Sequence, residues 1–122
     1  MPRLRILVVD DHEMIRRVLK FLLGSRPEWQ VCGEAANGKE GVLKAEELQP
    51  DLVLMDITMP EMNGVEATRR ILKQVPSAKI IIVSQNELAV IRRRDVGAAA
   101  YVAKSDLSRD LLKTIDDVFA QS

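Results

Sequence analysis

Residues 50–64 read PDLVLMDITMPEMNG and place a charged residue directly after an apolar run. Leu52 to Met55 are apolar at every position, whereas Asp56 carries a carboxylate and precedes a turn rich in proline and glycine. A short apolar run bounded by turn residues is typical of a strand buried on both faces. The sequence therefore predicts a buried strand over residues 51–56 that carries Asp56 to the edge of a sheet.

The same alternation of apolar runs and amphipathic segments continues along the whole chain. Further strands are predicted at 4–10, 29–35, 78–84 and 99–104. Helices are predicted from apolar spacing at 13–25, 38–49, 64–75, 87–97 and 107–121. Strands that alternate with helices form parallel βα units, and continuous apolar strands indicate helices on both faces of the sheet. We therefore predict an α/β fold with a doubly wound, five-stranded parallel sheet and five helices.

Length and charge limit the classes of function. A chain of 122 residues, 47% of them hydrophobic, fits one domain over residues 1–122, since domains most often hold roughly 100–150 residues. Eighteen basic residues balance eighteen acidic ones, so the chain has no overall field to hold it on nucleic acid or an anionic membrane. The sequence shows neither a signal peptide nor a membrane-length apolar run, so we expect a cytoplasmic protein without direct nucleic-acid or membrane binding.

Polar residues follow the predicted strands where a doubly wound sheet binds its ligands, beyond the carboxyl ends of the strands. They are Asp10, Asp11, Asp56, Ser84 and Lys104, and the second strand contributes nothing comparable. For each residue alone, a helix cap or a solvated charge is the simpler interpretation. Three carboxylates on one rim repel each other, however, and a divalent cation removes that repulsion. Oxygen ligands with few dedicated protein groups favour Mg²⁺.

The same residues suit phosphoryl transfer. The ammonium of Lys104 and the hydroxyl of Ser84 can hold the oxygens of a phosphoryl group opposite a metal-bound carboxylate. A carboxylate can also be the nucleophile and form an acyl phosphate. Asp56 is the strongest candidate for that role because it stands alone, whereas the adjacent Asp10 and Asp11 suit a pair of metal-holding groups.

Four motifs make the chain resemble the receiver domain of bacterial two-component response regulators. They are VVDDH at 8–12, LMDITMPEMNG at 54–64, Ser84 directly after IIIV, and YVAKS at 101–105. The segments VVDDHEMIRR and VCGEAANGKEG are most similar to the receivers of LuxR-type transcription regulators. The resemblance implies a flavodoxin-like sheet with the strand order 2-1-3-4-5.

The resemblance also implies a role for each acidic residue. Asp56 would be the phosphate acceptor. Asp56, Asp11 and the backbone carbonyl of Thr58 would bind Mg²⁺ directly, and Asp10 would act through a water.

On the phosphate side, the resemblance implies that Lys104 pairs with the phosphate, that Ser84 moves toward it, and that Tyr101 follows Ser84 as the switch residue. Gln85 stands where a small residue is common, and we expect its bulk to hinder the phosphodonor or the attacking water. Ser105 stands where a cis-bonded proline is common. Because a cis bond before a non-proline residue costs ~2.5–4 kcal/mol, we expect a trans bond or a different loop there. The interval between Ser84 and Lys104 is also shorter than is usual in the family.

By this resemblance the chain is a signalling switch and not a dedicated enzyme. It would take a phosphoryl group from a sensor histidine kinase, hydrolyse it slowly and change its surface. The output would be transcription, through a DNA-binding domain absent from this chain. A homodimer would use either the predicted helix 87–97 with the last strand and last helix, or the first and last helices.

Three other functions share parts of this pattern. A pseudo-receiver that binds partners without phosphorylation is favoured only by Gln85, Ser105 and the short interval. A phosphatase of the haloacid dehalogenase type would need an aspartate as general acid where Thr58 stands. A flavodoxin-like FMN carrier is disfavoured because Asp10 and Asp11 would repel the phosphate of the ligand.

Overall fold

Five parallel strands form the centre of the computed structural model, which describes residues 3–57, 59, 62–85 and 97–120. The strands lie in the order β2-β1-β3-β4-β5. All four neighbouring pairs are parallel. This confirms the predicted sheet and its strand order. The strands are β1 (Leu4–Val9), β2 (Trp29–Ala35), β3 (Leu52–Met55), β4 (Lys79–Ser84) and β5 (Ala100–Ala103).

Helices follow the strands at the predicted positions. Within the described ranges they are α1 (Glu13–Leu23), α2 (Gly38–Leu48), α3 (Gly64–Gln74) and α4 (Leu107–Ala120), and a short 3₁₀ helix, Lys104–Asp106, precedes α4. Residues 87–96 of the helix predicted over 87–97 lie outside the described residues. None of the described helices is long and apolar enough to cross a lipid bilayer.

Asparagine side chains fix the starts of α2 and α3. The Oδ1 atom of Asn37 accepts the Glu40 N–H at 2.8 Å, and Glu40 in turn accepts the Ala36 N–H at 3.0 Å. The Oδ1 atom of Asn63 accepts the Glu66 N–H at 3.0 Å. Such caps satisfy amides that a helix leaves open in its first turn. The cap at Asn63 starts α3 shortly after Asp56 and so fixes the loop beside the candidate site.

Successive strand side chains enter two separate apolar cores, one on each face of the sheet. The first core lies against α1 and α4 and includes Ile6, Val8, Leu52, Leu54, Leu19 and Leu111. The second lies against α2 and α3 and includes Leu7, Val9, Val53, Met55, Val42 and Ile71. Helices thus cover both faces, as the continuous apolar strands predict. This packing on both faces holds the central strands in place and so positions the residues that follow them.

Candidate functional site

Two buried carboxylates lie side by side at the carboxyl ends of β1 and β3. The last residues of these strands, Val9 and Met55, are register partners, so Asp10 and Asp56 occupy neighbouring positions on the rim. The Asp56 N–H donates to the carbonyl oxygen of Val9 at 2.9 Å and continues the ladder by one step. Ser84, which ends β4, is buried on the same rim. The sheet therefore brings these predicted site residues to one edge.

Lys104 reaches both of these carboxylates. Its Nζ atom lies 2.9 Å from Asp10 Oδ2 and 3.5 Å from Asp56 Oδ1. The three side chains are 6%, 1% and 3% exposed, so water screens their charges only weakly. One buried ammonium therefore holds two buried carboxylates together, and the predicted convergence of Lys104 with Asp10 and Asp56 is confirmed.

The acidic residues provide a set of oxygen atoms that fits a metal ion. One ligand atom each from Asp10, Asp11, His12 and Asp56 lie within 4.8 Å of one another. Asp10 Oδ2 contacts Lys104 Nζ and Asp11 Oδ1 contacts His12 Nδ1, and neither buried oxygen accepts a further hydrogen bond from the part of the chain that the structure describes. Hard oxygen atoms with spare acceptor capacity suit a divalent cation such as Mg²⁺. Thr58, predicted to add its backbone carbonyl, lies outside the described residues.

His12 stands at the N-cap position of α1, where it is two-thirds exposed. Its N–H donates to Asp10 Oδ1 at 2.8 Å, and its ring Nδ1 lies 3.1 Å from Asp11 Oδ1. The backbone contact fixes the orientation of the Asp10 carboxylate. His12 is therefore a polar residue at the start of the first helix.

Two glycines allow close backbone approaches around the loop that follows Asp56. A Cβ atom at Gly64 would lie 2.0 Å from the carbonyl oxygen of Asp56 and 2.7 Å from Ile57 Cα. A Cβ atom at Gly38 would lie 2.0 Å from the carbonyl oxygen of Met62. Only glycine permits such approaches, so the start of α3 can rest directly on the backbone of Asp56.

The phosphate side of the site is formed by the ends of β4 and β5. The Tyr101 hydroxyl donates to the carbonyl oxygen of Ser84 at 3.1 Å. Gln85 and Ser105 are both exposed, so each predicted tuning residue reaches solvent. The bond between Lys104 and Ser105 is trans, as predicted, and no cis peptide bond occurs among the described residues. Lys104 opens the 3₁₀ helix, a turn that the sequence did not predict.

Sequence reasoning missed a charged cluster beside Asp10, because it expected nothing from the second strand. Glu34 of β2 accepts from Arg16 Nε at 2.9 Å and from Lys20 Nζ at 2.7 Å. These contacts with Lys20 and Arg16 lower the pKa of Glu34, against the opposing effect of burial. Arg16 and Lys20 stand four positions apart on α1 and so lie side by side on its surface. This spacing in the sequence could have predicted a shared acidic partner.

Comparisons with known proteins agree with this geometry. Residues 6–116 match the family model described as the response regulator receiver domain. The response regulator protein VraR of Staphylococcus aureus is 39% identical over 114 residues, which cover 92% of this chain and 54% of VraR. The chain therefore spans about half the length of the curated relatives it matches.

Solved structures resemble the chain over nearly its whole length. A LuxR-family two-component response regulator from Aurantimonas sp. SI85-9A1 is 34% identical with a TM-score of 0.90, covering 98% of this chain and 86% of its own. The structure of CheY6 in complex with the P1 domain of CheA3, from R. sphaeroides, is 29% identical with a TM-score of 0.84, covering 98% and 99%. The chain belongs to the response regulator receiver domain family, whose members are signalling domains of two-component systems and not dedicated enzymes.

Proposed function

We propose that residues 1–122 form one receiver domain that works as a phosphorylation-dependent switch, with Asp56 as the phosphate acceptor. The observation that carries this proposal is the position of Lys104, whose Nζ lies 2.9 Å from Asp10 Oδ2 and 3.5 Å from Asp56 Oδ1. A buried cation between a candidate nucleophile and a candidate metal-holding group suits phosphoryl transfer, which depends mainly on positioning and charge neutralisation.

In the proposed reaction, a carboxylate oxygen of Asp56 attacks the phosphorus of a phosphohistidine. An O–P bond forms, the P–N bond breaks, and the leaving imidazole takes a proton from solvent. Lys104 neutralises charge on the transferred group, and the Ser84 hydroxyl donates to one of its oxygens. Water later attacks the phosphorus of the acyl phosphate, the O–P bond to Asp56 breaks, inorganic phosphate leaves and the Asp56 carboxylate is regenerated. The chain thus catalyses its own transfer and slow dephosphorylation, and exposed Gln85 tunes the access of water.

The residues proposed to hold Mg²⁺ are Asp11, Asp56 and the carbonyl of Thr58, with Asp10 acting through a water. When bound, the ion neutralises charge on the phosphoryl oxygens. The acidic cluster supports this assignment, because one ligand atom from each of its residues lies within 4.8 Å of the others. Ser105, which follows Lys104, is a second proposed tuning position.

The proposed signal passes from Asp56 to the edge of the sheet. Ser84 moves toward the new phosphate, and Tyr101 follows because its hydroxyl is bonded to the Ser84 carbonyl at 3.1 Å. A single strong charge would thereby bias a two-state element. The changed surface would govern a homodimer, through the face that includes β5 and α4 or through α1 and α4.

The proposed partner is a cytoplasmic sensor histidine kinase. Similarity to CheY6, solved with the P1 domain of CheA3, supports a phosphotransfer partner of this kind. Similarity to LuxR-family response regulators supports transcription as the output. We propose that a DNA-binding domain outside these 122 residues delivers it, since the chain matches about half the length of its curated relatives.

The test is phosphorylation by a small donor. The protein is incubated with acetyl phosphate and Mg²⁺, and intact mass is measured. We expect an acid-stable, base-labile increase of one phosphoryl group that Asp56→Asn abolishes and that excess EDTA prevents. Lys104→Ala should keep part of the adduct and lose the surface change. A folded wild-type protein without the adduct, despite Mg²⁺ and donor, would favour the pseudo-receiver function instead.

A further inference from the structure

Arg16 connects the candidate metal site to the neighbouring strand. It lies on α1, and its side chain is only 16% exposed. Its Nη1 atom donates to the carbonyl oxygen of Asp10 at 2.6 Å, and its Nε atom donates to Glu34 Oε1 at 2.9 Å. The planar guanidinium thus uses two of its fixed donors on two different elements. Such a contact restrains both elements more than a single flexible ammonium would.

Glu34 is itself held from both sides, which makes it a firm anchor for Arg16. Its second carboxylate oxygen accepts from Lys20 Nζ at 2.7 Å, and its backbone carbonyl accepts from Lys44 Nζ of α2. Its strand position pairs with Val8 of β1, two residues before Asp10. Since α1, β2 and α2 all contribute to these contacts, the position of Arg16 is set by the surrounding fold and not by its own helix alone.

The backbone of Asp10 is fixed at both of its polar groups. Its N–H donates to the carbonyl oxygen of Ala35 at 3.0 Å, and its carbonyl oxygen accepts from Arg16. That carbonyl belongs to the peptide plane joining Asp10 to Asp11. When its direction is fixed, so are the positions of the Asp11 N and Cα atoms, and this limits the directions in which the Asp11 side chain can leave the backbone.

We infer that Arg16, anchored by Glu34, is a positioning residue for divalent-cation binding, because it orients the Asp10–Asp11 peptide and thereby the Asp11 carboxylate. Arg16 does not touch the ion in this arrangement. The inference rests on the proposed function, and it adds residues that neither the strand ends nor the acidic cluster identify. Groups that orient metal ligands commonly set metal affinity almost as strongly as the ligands do.

Whether Arg16→Gln raises or lowers the affinity for Mg²⁺ distinguishes an orienting role of Arg16 from a purely electrostatic one. A guanidinium near an acidic site repels a cation, so charge alone predicts that Arg16→Gln binds Mg²⁺ more tightly. Orientation predicts the opposite, since the Asp10–Asp11 peptide is released. The double variant Arg16→Gln with Glu34→Gln keeps the net charge. Charge alone then predicts wild-type affinity, whereas orientation predicts weaker binding.

The experiment is isothermal titration calorimetry of the whole chain with MgCl₂. We expect Arg16→Gln, Arg16→Lys and the double variant each to weaken binding roughly 10-fold, because lysine lacks the second fixed donor. Arg17→Gln is the matched control, since Arg17 is adjacent, 66% exposed and bonded to Glu13, and it should bind like the wild type. In phosphorylation by acetyl phosphate, the variants should need more Mg²⁺ and recover near the wild-type rate when Mg²⁺ saturates.

Several results would overturn the inference. They are tighter Mg²⁺ binding by Arg16→Gln, wild-type affinity in the double variant, or an unchanged affinity accompanied only by a lower melting temperature in EDTA. If Arg16→Gln does not fold, Arg16→Lys decides by the same criteria. A wild-type protein that binds no Mg²⁺ or forms no adduct contradicts the proposed function, which is a different result from loss of the Arg16 effect.

Discussion

The Tyr101 hydroxyl donates a hydrogen bond to the backbone carbonyl of Ser84 across 3.1 Å. Tyr101 pairs in register with Ile82, two residues before Ser84, so the bond spans the end of the β4–β5 ladder. Because this contact is to the backbone, it depends on the position of the last residue of β4. A displacement of Ser84 would therefore change the position of its hydrogen-bond donor, Tyr101.

Removing this hydroxyl tests the contact directly. Tyr101→Phe keeps the ring and deletes one hydrogen bond, so we expect the free energy of unfolding to fall by about 1 kcal/mol. The adduct at Asp56 should still form, since the hydroxyl does not contact the acceptor. Urea unfolding and intact mass measure the two results. Unchanged stability would show that the bond contributes nothing to the folded state.

Lys104 is the buried counter-charge of Asp10 and Asp56. Lys104→Met leaves two buried carboxylates without it, so in EDTA we expect the free energy of unfolding to fall by about 3 kcal/mol. Saturating Mg²⁺ should restore part of that loss, because the ion supplies positive charge at the same place. Exposed Lys113→Met is the control and should change stability by less than about 0.5 kcal/mol. Equal stability of the Lys104→Met variant and wild type in EDTA contradicts the ion-pair account.

Asp11 adds a third carboxylate to a rim where one ammonium contacts Asp10 and Asp56. We expect Asp11→Asn to raise the free energy of unfolding in EDTA by on the order of 1 kcal/mol, since it relieves repulsion. In saturating Mg²⁺ the wild type should gain far more stability than the variant. Thermal unfolding in both conditions measures this, and an equal gain from Mg²⁺ in both proteins would exclude Asp11 as a ligand.

Gly64 permits the contact between the start of α3 and the acceptor. In Gly64→Ala the added methyl group would lie 2.0 Å from the carbonyl oxygen of Asp56, so the backbone must shift. We expect the free energy of unfolding to fall by about 3 kcal/mol and the adduct yield to drop. Gly24→Ala is the control with a milder contact, since its nearest atom would lie 3.2 Å away and need shift only by a few tenths of an ångström. A Gly64→Ala variant with wild-type stability and yield would disprove the close approach.

Glu34 gives the fold a predictable response to acid. Lys20 and Arg16 lower its pKa below the ordinary value of 4.5, so the stabilisation from these contacts is complete above pH 4.5 and is lost as pH falls through the lowered value. The difference in free energy of unfolding between wild type and Glu34→Gln should therefore be constant above pH 5 and shrink below 4.5. Urea unfolding from pH 3 to 7 checks this, and a constant difference throughout would refute it.

The fold and the rim of the site follow from local patterns. Apolar runs located the strands, and the bounds predicted for β2, residues 29–35, match the structure. Asp10 and Asp56 converge because each follows a buried parallel strand. This can be predicted from the sequence, since each aspartate stands directly after an apolar run. Lys104 lies on the same rim because it too directly follows a parallel strand, β5.

Other features depend on how distant segments approach each other. The bond from Arg16 to Glu34 joins residues 18 positions apart and requires α1 to lie beside β2. The contact of Gly64 with Asp56 is visible only once the loop between them is closed. The 3₁₀ helix at Lys104 lies between a strand and a helix. The spacing of apolar residues typical of strands or of α-helices does not predict such a short turn. Such features come from tertiary packing, which one sequence does not display.

The position of β3 between two other strands also predicts which backbone amides exchange most slowly with solvent. Its amides are bonded within the sheet and covered on both faces, so they should exchange with deuterium only when the whole domain unfolds. β5 has one neighbouring strand and only part of its surface covered, so its amides should exchange through smaller openings. We therefore expect Asp56 to follow a slowly exchanging strand, whereas Tyr101 should lie on a strand that opens more readily.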